Sequence, residues 1–570
     1  ILAQACADPF LRGFTPFPLR FYSECLDHVP LIPLRLCPPS RVPPGGRVRC
    51  VMGACSARTS AYIWRDKQKT QNSACSTASP LPVDPDLEPT SPISPAAAAG
   101  HSLLIKEQRC NVLESYAFAT EPLGTGGFGT VYRAVHKATQ SVRAVKSVPK
   151  RKCKKAADLF RQEIIIMKMM NHPNIVKLFE VFEDREHIYL VMEICLGGSL
   201  MDHLRRKDKD GLGLEEFCCR KVMQQVFYAI SYMHRNRVAH RDIKPENFLL
   251  LTRDSLDQTI LKVGDFGFAR RFQDGEEMTT KVGTLHYSSP EVLAGRYDKS
   301  SDLWSCGVIM FLILCGRLPF EGTRDSEVIK RVQRGNYSLS GGAWGDVSEE
   351  AKDMIRKLLR FDRFERCTAD ETMQHAWIDS RLVTIGVQTR GAMVLSLADQ
   401  VRAFQLQRSV TQVARHVIAQ QLNEAQVREI RDNFMALDTD HDCVLTAREL
   451  REGLDAAGVD APLDLPRMLE VCPIDYTEFL ALTLDLNIHL ESGACQSAFQ
   501  ALDRDSDGRI SKADVQSLLD NSNKTSSTLK SALLGMQKDL DEVLDFSKFM
   551  SIIRDSDDIA DCHIVSLDCL

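Results

Sequence analysis

The strongest constraint on the fold is a change of pattern partway along the chain. From about Tyr116 to Ile378, short alternating apolar runs interleave with longer stretches in which apolar residues recur every three or four positions. From about Ala398 the helical period alone persists, interrupted at intervals by acidic loops. Strand and helix together require a mixed architecture, whereas helix alone requires a second, all-helical one. A chain of 570 residues exceeds a single core, so the two patterns are expected to form separate domains.

Composition narrows the class. Hydrophobic content of 44% and charged content of 26% are those of a soluble globular protein. A formal net charge of -5 gives no reason to expect nucleic-acid binding. The 19 cysteines are scattered without a CxxC spacing, which reads as reduced thiols of an intracellular protein rather than disulfides or zinc ligands. The most apolar run, Gly307 to Cys315, is about half the roughly 20 residues needed to cross a bilayer. It reads as a buried core helix.

Residues 1–115 are expected to be a disordered extension. Within it, 1–51 are rich in Pro, Arg and Cys, begin with Ile, and show no sustained periodicity. Met52-Gly53-Ala54-Cys55-Ser56-Ala57 then resembles an acylation signal, with Gly53 as a myristoylation site and Cys55 as an adjacent palmitoylation site. Ala57 stands where such signals prefer Ser or Thr. The expectation is that Met52 is the native start, 1–51 are a gene-model artefact, and the protein is cytoplasmic with peripheral membrane attachment. Ser76 to Gly100, dense in Pro, Ser and Ala, reads as a linker.

Leu123-Gly124-Thr125-Gly126-Gly127-Phe128-Gly129-Thr130-Val131 fits a glycine-rich hairpin over nucleotide phosphates, because backbone approaches phosphate oxygens only where side chains are absent. A dinucleotide fold also uses GxGxxG, but there the motif opens a helix. Here Val131-Tyr132-Arg133-Ala134-Val135 continues as a strand. Arg143-Ala144-Val145-Lys146 places a lysine on the next strand, and the following helix supplies Glu163. Pairing them would aim the ammonium at the α- and β-phosphates.

His240-Arg241-Asp242-Ile243-Lys244-Pro245-Glu246-Asn247 is followed by Asp265-Phe266-Gly267. With these motifs in place, residues 116–378 resemble the eukaryotic protein kinases. The resemblance implies a bilobal α+β fold with ATP and magnesium as cofactors. It implies that Asp242 orients the substrate hydroxyl and accepts its proton, and that Lys244 stabilises charge on the transferring phosphoryl group. Asn247 and Asp265 would hold magnesium. The nucleotide would lie among Leu123 to Gly129, Val131, Ala144, Lys146, the gatekeeper Met192, the hinge Glu193 to Cys195, Leu249 and Asp265.

Ser289-Pro290-Glu291 stands where the family has Ala-Pro-Glu, with Arg366 placed to pair with Glu291. Lys244 within its motif marks a serine/threonine kinase. Glu246 resembles the acidic residue that holds a basic side chain before the phosphoacceptor, although Ser199 replaces a common glutamate nearby. Glu276 and Glu277, in the activation segment, are candidate partners for Arg241 without phosphorylation. The chemistry-bearing residues absent from kinase-like scaffolds are all present here, which favours catalysis over a pseudokinase.

The second half carries four loops that can be laid on the EF-hand template, whose ligands stand at positions 1, 3, 5, 7, 9 and 12 with glycine at 6. The third is the best, with Asp503, Asp505, Asp507, the Arg509 carbonyl and Ser511 in place, Gly508 at the turn, and Asp514 for the final glutamate. Its shorter carboxylate should weaken calcium relative to magnesium. The first offers Asp438, Asp440, Asp442, the Val444 carbonyl and Glu449, but Cys443 occupies the glycine position. The second keeps Glu478 but puts Arg467, Leu469 and Val471 at positions 1, 3 and 5, so it should be silent. The fourth keeps Asp539, Asp541 and Asp545 but ends on Lys548, and should be silent too.

A kinase followed by a calmodulin-like array resembles the calcium-dependent protein kinases, which join the halves through an autoinhibitory segment. Residues 379–422 are expected to be that junction helix, with Leu397, Val401, Phe404, Val410, Val413, Ala414, Val417, Ile418 and Leu422 as its apolar stripe. Thr411-Gln412 replace the paired lysines of relatives, so inhibition by a basic pseudosubstrate is not expected. The calmodulin-like domain is expected over 423–557 and a tail over 558–570. The reading is a calcium-regulated serine/threonine kinase acting on protein substrates with basic residues near the phosphoacceptor. Its alternatives are a constitutively active kinase with relic EF-hands and a calcium-binding pseudokinase scaffold.

Overall fold

Apolar residues along Val142–Pro149 and His187–Met192 are buried on both faces, Ala144, Val145, Ile188, Leu190 and Val191 among them, and these strands become the centre of a six-stranded sheet. The computed structural model describes residues 104–126, 129–150, 154–207, 213–378, 387–422, 424, 426–457, 473–484, 493–520, 527–540 and 543–554. The acylation signal at Gly53 and Cys55, Gly127, Phe128 and the tail lie outside them. No helix among the described residues is long and apolar enough to cross a membrane.

The sheet comprises β1 (Lys106–Gln108), β2 (Tyr116–Thr125), β3 (Thr130–His136), β4 (Val142–Pro149), β5 (Leu178–Glu183) and β6 (His187–Met192), in the order β1-β5-β6-β4-β3-β2. All neighbours are antiparallel except β1, which runs parallel to β5. Residues 104–115 fall within the expected extension, yet they contribute this edge strand and the helical turn Val112–Ser115, capped by Asn111. The apolar pair Leu104 and Ile105, both buried, seats the strand.

Helix α1 (Lys154–Met169) connects β4 to β5, and the second lobe is built on α2 (Glu216–Arg235) and α3 (Ser300–Cys315). Helix α3 is apolar on all sides and is buried along its length, as its sequence predicts. Trp304 at its start stacks on Phe320, ring centroids 5.5 Å apart.

The all-helical part begins with two junction helices, α4 (Val387–Leu406) and α5 (Ser409–Gln421), rather than one. Arg408 takes extended backbone and breaks the ladder, and the Gln412 amide caps the freed Phe404 carbonyl at 2.8 Å. Helices α6 (Arg428–Leu437), α7 (Ala447–Ala457), α8 (Tyr476–Thr483), α9 (Gly493–Leu502), α10 (Lys512–Asp520) and α11 (Ser527–Asp539) follow. Short strands pair the loops two by two, Val444–Leu445 with Ile474–Asp475 and Arg509–Ile510 with Leu544–Asp545. The second loop therefore does pair with the first. All nine residues of the junction stripe are buried, against α7 from α4 and against α8, α9 and α11 from α5. The fit is close: a side chain at Gly535 of α11 would meet the Ser409 Oγ at 2.2 Å.

Candidate active site and calcium-binding loops

Strand register delivers the site. Lys146 on β4 lies between Val131 of β3 and Leu190 of β6, so its side chain leaves the sheet beneath the glycine-rich turn. That turn is closed by a bond from the Gly126 amide to the Gly129 carbonyl at 2.9 Å. A side chain at Gly129 would strike the Ser147 carbonyl at 2.3 Å, so glycine is required there. Leu123, Gly124 and Thr125 complete the incoming strand, while Met192 ends β6 opposite Ala144.

The Lys146 ammonium stands 2.6 Å from Glu163 of α1 and 3.0 Å from Asp265. Burial opposes its charge, but Asp265 and Glu163 outweigh burial and hold the ammonium above its ordinary value. Burial pushes Glu163 up, against the pull of Lys146. Asp265 is held below the usual carboxylate range, because Lys146 outweighs burial and Lys244 adds to it. Asp265 sits at φ +57, a strained backbone for a side-chain-bearing residue at a site that must aim a carboxylate.

Asp242 is held from two sides: Lys244 donates to it at 2.6 Å and the Thr284 hydroxyl at 2.8 Å. Asn247 donates its amide nitrogen to the Asp242 carbonyl at 2.8 Å. Its amide oxygen and the Asp265 carboxylate are hard oxygen donors of the kind magnesium prefers. Beneath the loop, the Asp302 carboxylate accepts from the His240 and Arg241 amides, both at 2.9 Å, and pairs with His234. Thr284, Asp302 and His234 escaped the sequence reading as site residues. Gly283 carries the signal for Thr284, since at φ +102 it passes close to the Arg241 carbonyl.

Arg366 pairs with Glu291, as the motif spacing implies. The expected pairing of Arg241 with Glu276 or Glu277 is not what forms. Glu276 binds Arg270 at 2.7 Å, and Glu277 binds Arg296 and Arg363. Arg241 donates instead to the Phe268 carbonyl at 2.6 Å and the Tyr297 hydroxyl at 3.3 Å. Glu276 thus finds a cation six residues earlier, and Glu277 finds two from later parts of the chain.

Behind the hinge lies a charge cluster that spacing alone does not reveal. Lys262 is buried 2.9 Å from the hinge Glu193 and 3.6 Å from Glu424, which follows α5. Tyr476 of α8 donates to Glu424 at 2.5 Å. Lys177 donates to the Leu422 carbonyl at 3.2 Å, and burial pushes its ammonium down to about 8. Burial pushes the thiol of Cys195, also in the hinge, up.

In both credible calcium loops three aspartates converge, their ligand oxygens within 4.8 Å: Asp438, Asp440 and Asp442 in one, Asp503, Asp505 and Asp507 in the other. The backbone is the same in each. Asp438 accepts from the Asp442 and Cys443 amides at 3.1 and 3.0 Å, and Asp503 from those of Asp507 and Gly508 at 3.2 and 2.9 Å. Cys443 takes φ +62 where Gly508 takes +84, so the first loop accepts strain that the third avoids. Val444 and Arg509, whose carbonyls would be the ligands at loop position 7, sit in the paired strands.

The final carboxylates also correspond: Glu449 accepts from the Thr439 and Thr446 amides, Asp514 from those of Arg504 and Ser511. Asp514 thus reproduces both anchoring bonds despite its shorter arm. Burial, with Glu449 and Asp442 beside it, holds Asp438 well above the carboxylate range, and burial with Asp440 pushes Asp442 up to about 6. A dication relieves this kind of crowding, so the residues fit calcium. In the second loop Glu478 is buried and raised by burial and Asp475, while Arg467, Leu469 and Val471 lie outside the described residues. In the fourth, Asp541 lies outside them, and Asp545 caps the next helix through the Lys548 amide at 2.8 Å.

Residues 118–378 match the family model described as protein kinase domain, and residues 496–519 match that described as EF hand. The chain is 37% identical over 458 residues to calcium-dependent protein kinase 3 of Plasmodium berghei, covering 78% of this chain and 81% of the relative. It is 34% identical over 441 residues to calcium-dependent protein kinase 5 of Plasmodium falciparum, 76% of each. Calcium-dependent protein kinase 4 of the same organism is 31% identical over 455 residues, 76% of this chain and 85% of the relative.

Proposed function

The chain belongs to the calcium-dependent protein kinase family, and from that premise we propose that it transfers the γ-phosphate of ATP to serine and threonine hydroxyls of proteins under calcium control. The observation that carries the reading is the closed set of Lys146, Glu163 and Asp265 beside an Asp242 held by Lys244 and Thr284. Lys146 neutralises the α- and β-phosphates, fixed in place by Glu163. Asp242 orients the incoming hydroxyl and takes its proton. Lys244, within reach of both Asp242 and the Thr284 hydroxyl, balances charge on the group in flight. Asn247 and Asp265 would hold magnesium, which supplies charge neutralisation on the phosphates when bound.

The EF-hand helices hold the junction stripe, an arrangement that supports calcium-engaged release of the kinase. At low calcium the stripe would instead dock on the kinase. For substrates, Glu246 is the anion for a basic side chain. Ser199, in place of glutamate, donates to Asp202 at 2.7 Å and so ties up the neighbouring carboxylate. We further propose a cytoplasmic protein attached to membranes through acylated Gly53 and Cys55, tested by incorporation of labelled myristate in wild type against Gly53→Ala. The central test is a radiolabelled ATP assay on a basic peptide, in chelator and in saturating calcium. Wild type should transfer phosphate only with calcium, and Asp242→Ala should not. Equal activity in both conditions would leave the EF-hands as relics.

A further inference from the structure

Three residues at the N-terminal edge of the sheet touch both halves of the molecule. The Lys106 ammonium donates to the Asp503 carbonyl and to the Ser506 hydroxyl, each at 2.8 Å, so it is seated directly on the third EF-hand loop. Its neighbour Glu107 pairs with Lys168, in the last turn of α1. Helix α1 also carries Glu163, five residues earlier, about 7.5 Å along a rigid rod. Glu107 is in addition one of the anions that offset the burial of Arg504, the second residue of the loop. Gln108 completes the strand's attachment by donating to Glu180 of β5 at 3.1 Å.

The contact is compatible with a filled loop. Calcium takes side chains at positions 1, 3, 5, 9 and 12 and the carbonyl at 7. Lys106 uses the carbonyl of position 1 and the side chain of position 4, neither of which is a ligand. The helix that leads into the loop also lies close against the lobe, since a side chain at Gly493 of α9 would meet the Thr139 carbonyl of the β3–β4 turn. A small cavity lined by Leu104, Lys106, Arg143, Gln421 and Gln500 marks where strand, junction and α9 meet.

We propose that strand β1 couples occupancy of the Asp503–Asp514 loop to the placement of the Glu163 helix, with Lys106 and Glu107 as its positioning residues. An ordered loop holds Lys106, the strand stays paired with β5, and Glu107 holds the end of α1 so that Glu163 meets Lys146. This rests on the calcium-regulated reading above and adds the route to it. Linkage makes the coupling reciprocal: a nucleotide that needs the Lys146–Glu163 pair must tighten calcium binding at this loop.

The test is calcium titration by calorimetry of the full chain, with and without magnesium and a non-hydrolysable ATP analogue, together with hydrogen exchange of residues 154–169. In wild type the analogue should tighten calcium binding about tenfold, and calcium should protect the helix, within the usual range of coupling between sites. In Lys106→Met and in Glu107→Gln the enhancement should fall to about twofold or less. Lys106→Met removes a cation beside the loop, so its bare calcium affinity should rise even as coupling is lost. The exchanged pair Glu107→Lys with Lys168→Glu should restore coupling. Wild-type coupling retained in Lys106→Met and Glu107→Gln would overturn the inference while leaving calcium regulation intact. A wild type with no calcium response at all would overturn both.

Discussion

Replacing Lys262 by methionine tests how the EF-hand domain reports to the hinge. Lys262 lies between Glu193 and Glu424, and all three side chains are at most 3% exposed. Burial pulls its ammonium down, but the two carboxylates outweigh burial and hold it above its ordinary value. Removing it leaves two buried anions facing each other. The cost of an orphaned buried charge is about 3–5 kcal/mol. The low end, about 3 kcal/mol, applies here because Lys177 remains beside the pair and supplies a second cation.

The repulsion should be relieved if one carboxylate is made neutral. Glu424→Gln in the Lys262→Met background should therefore recover about 1–2 kcal/mol, whereas Glu424→Gln alone should destabilise, since it removes a partner from Lys262 and Lys177. The assay is urea unfolding of the four proteins, with limited proteolysis of residues 420–427 as the local readout. Additivity of the two changes within about 0.5 kcal/mol would refute the reasoning, because residues in one charge network must couple.

The other predictions probe separate parts of the molecule. Calorimetry of the wild type should find two calcium ions per chain, with Asp503→Ala and Asp438→Ala each removing one. Gly493→Val should push α9 off the β3–β4 turn and raise the calcium needed for half-maximal phosphate transfer several-fold, read from an activity titration. His416, buried in α5 against Phe404, is pushed down to about 4 by burial. Its folded value is thus below its unfolded one, so the junction's packing is at full strength above pH 6.5 and weakens as pH falls from 6.5 towards 4. The effect is at most about 3 kcal/mol, and circular dichroism melts of His416→Gln should lose that acid sensitivity.

The catalytic residues were legible because phosphoryl transfer demands particular side chains at fixed spacings, and Asp242, Asn247 and Asp265 obey them. The EF-hand loops were legible for the same reason, down to the glycine position where Cys443 now takes the strained backbone. What stayed hidden depends on contacts between distant segments. Lys262 looks like an ordinary lysine in an apolar strand until Glu424, some 160 residues later, arrives beside it. Residues 104–115 lacked periodicity because a three-residue edge strand is too short to show any. Glu276 and Glu277 match Arg241 by analogy of position, but Arg270 takes the first, and Arg296 and Arg363, 19 and 86 residues away, take the second.

These hidden contacts share a direction. Among the described residues the EF-hand domain meets the kinase at several places, including Lys106 on the first lobe, Glu193 and Lys262 at the hinge through Glu424, and Arg235 at the end of α2. At the last, the guanidinium sits between Asp370 at 3.0 Å and Asp440 at 3.5 Å, and also donates to the Asp440 carbonyl at 3.1 Å. A protein cation therefore already offsets part of the first loop's negative charge, and His441 packs on Tyr228 of α2 beside it. These contacts tie the strained first loop to the second lobe through Arg235 and His441. The third loop meets the kinase through a lysine that touches no ligand atom, so its grip depends on loop order rather than on charge alone. The third loop thus stands at the lobe that carries the Lys146–Glu163 pair, and the strained first loop at the lobe built on α2.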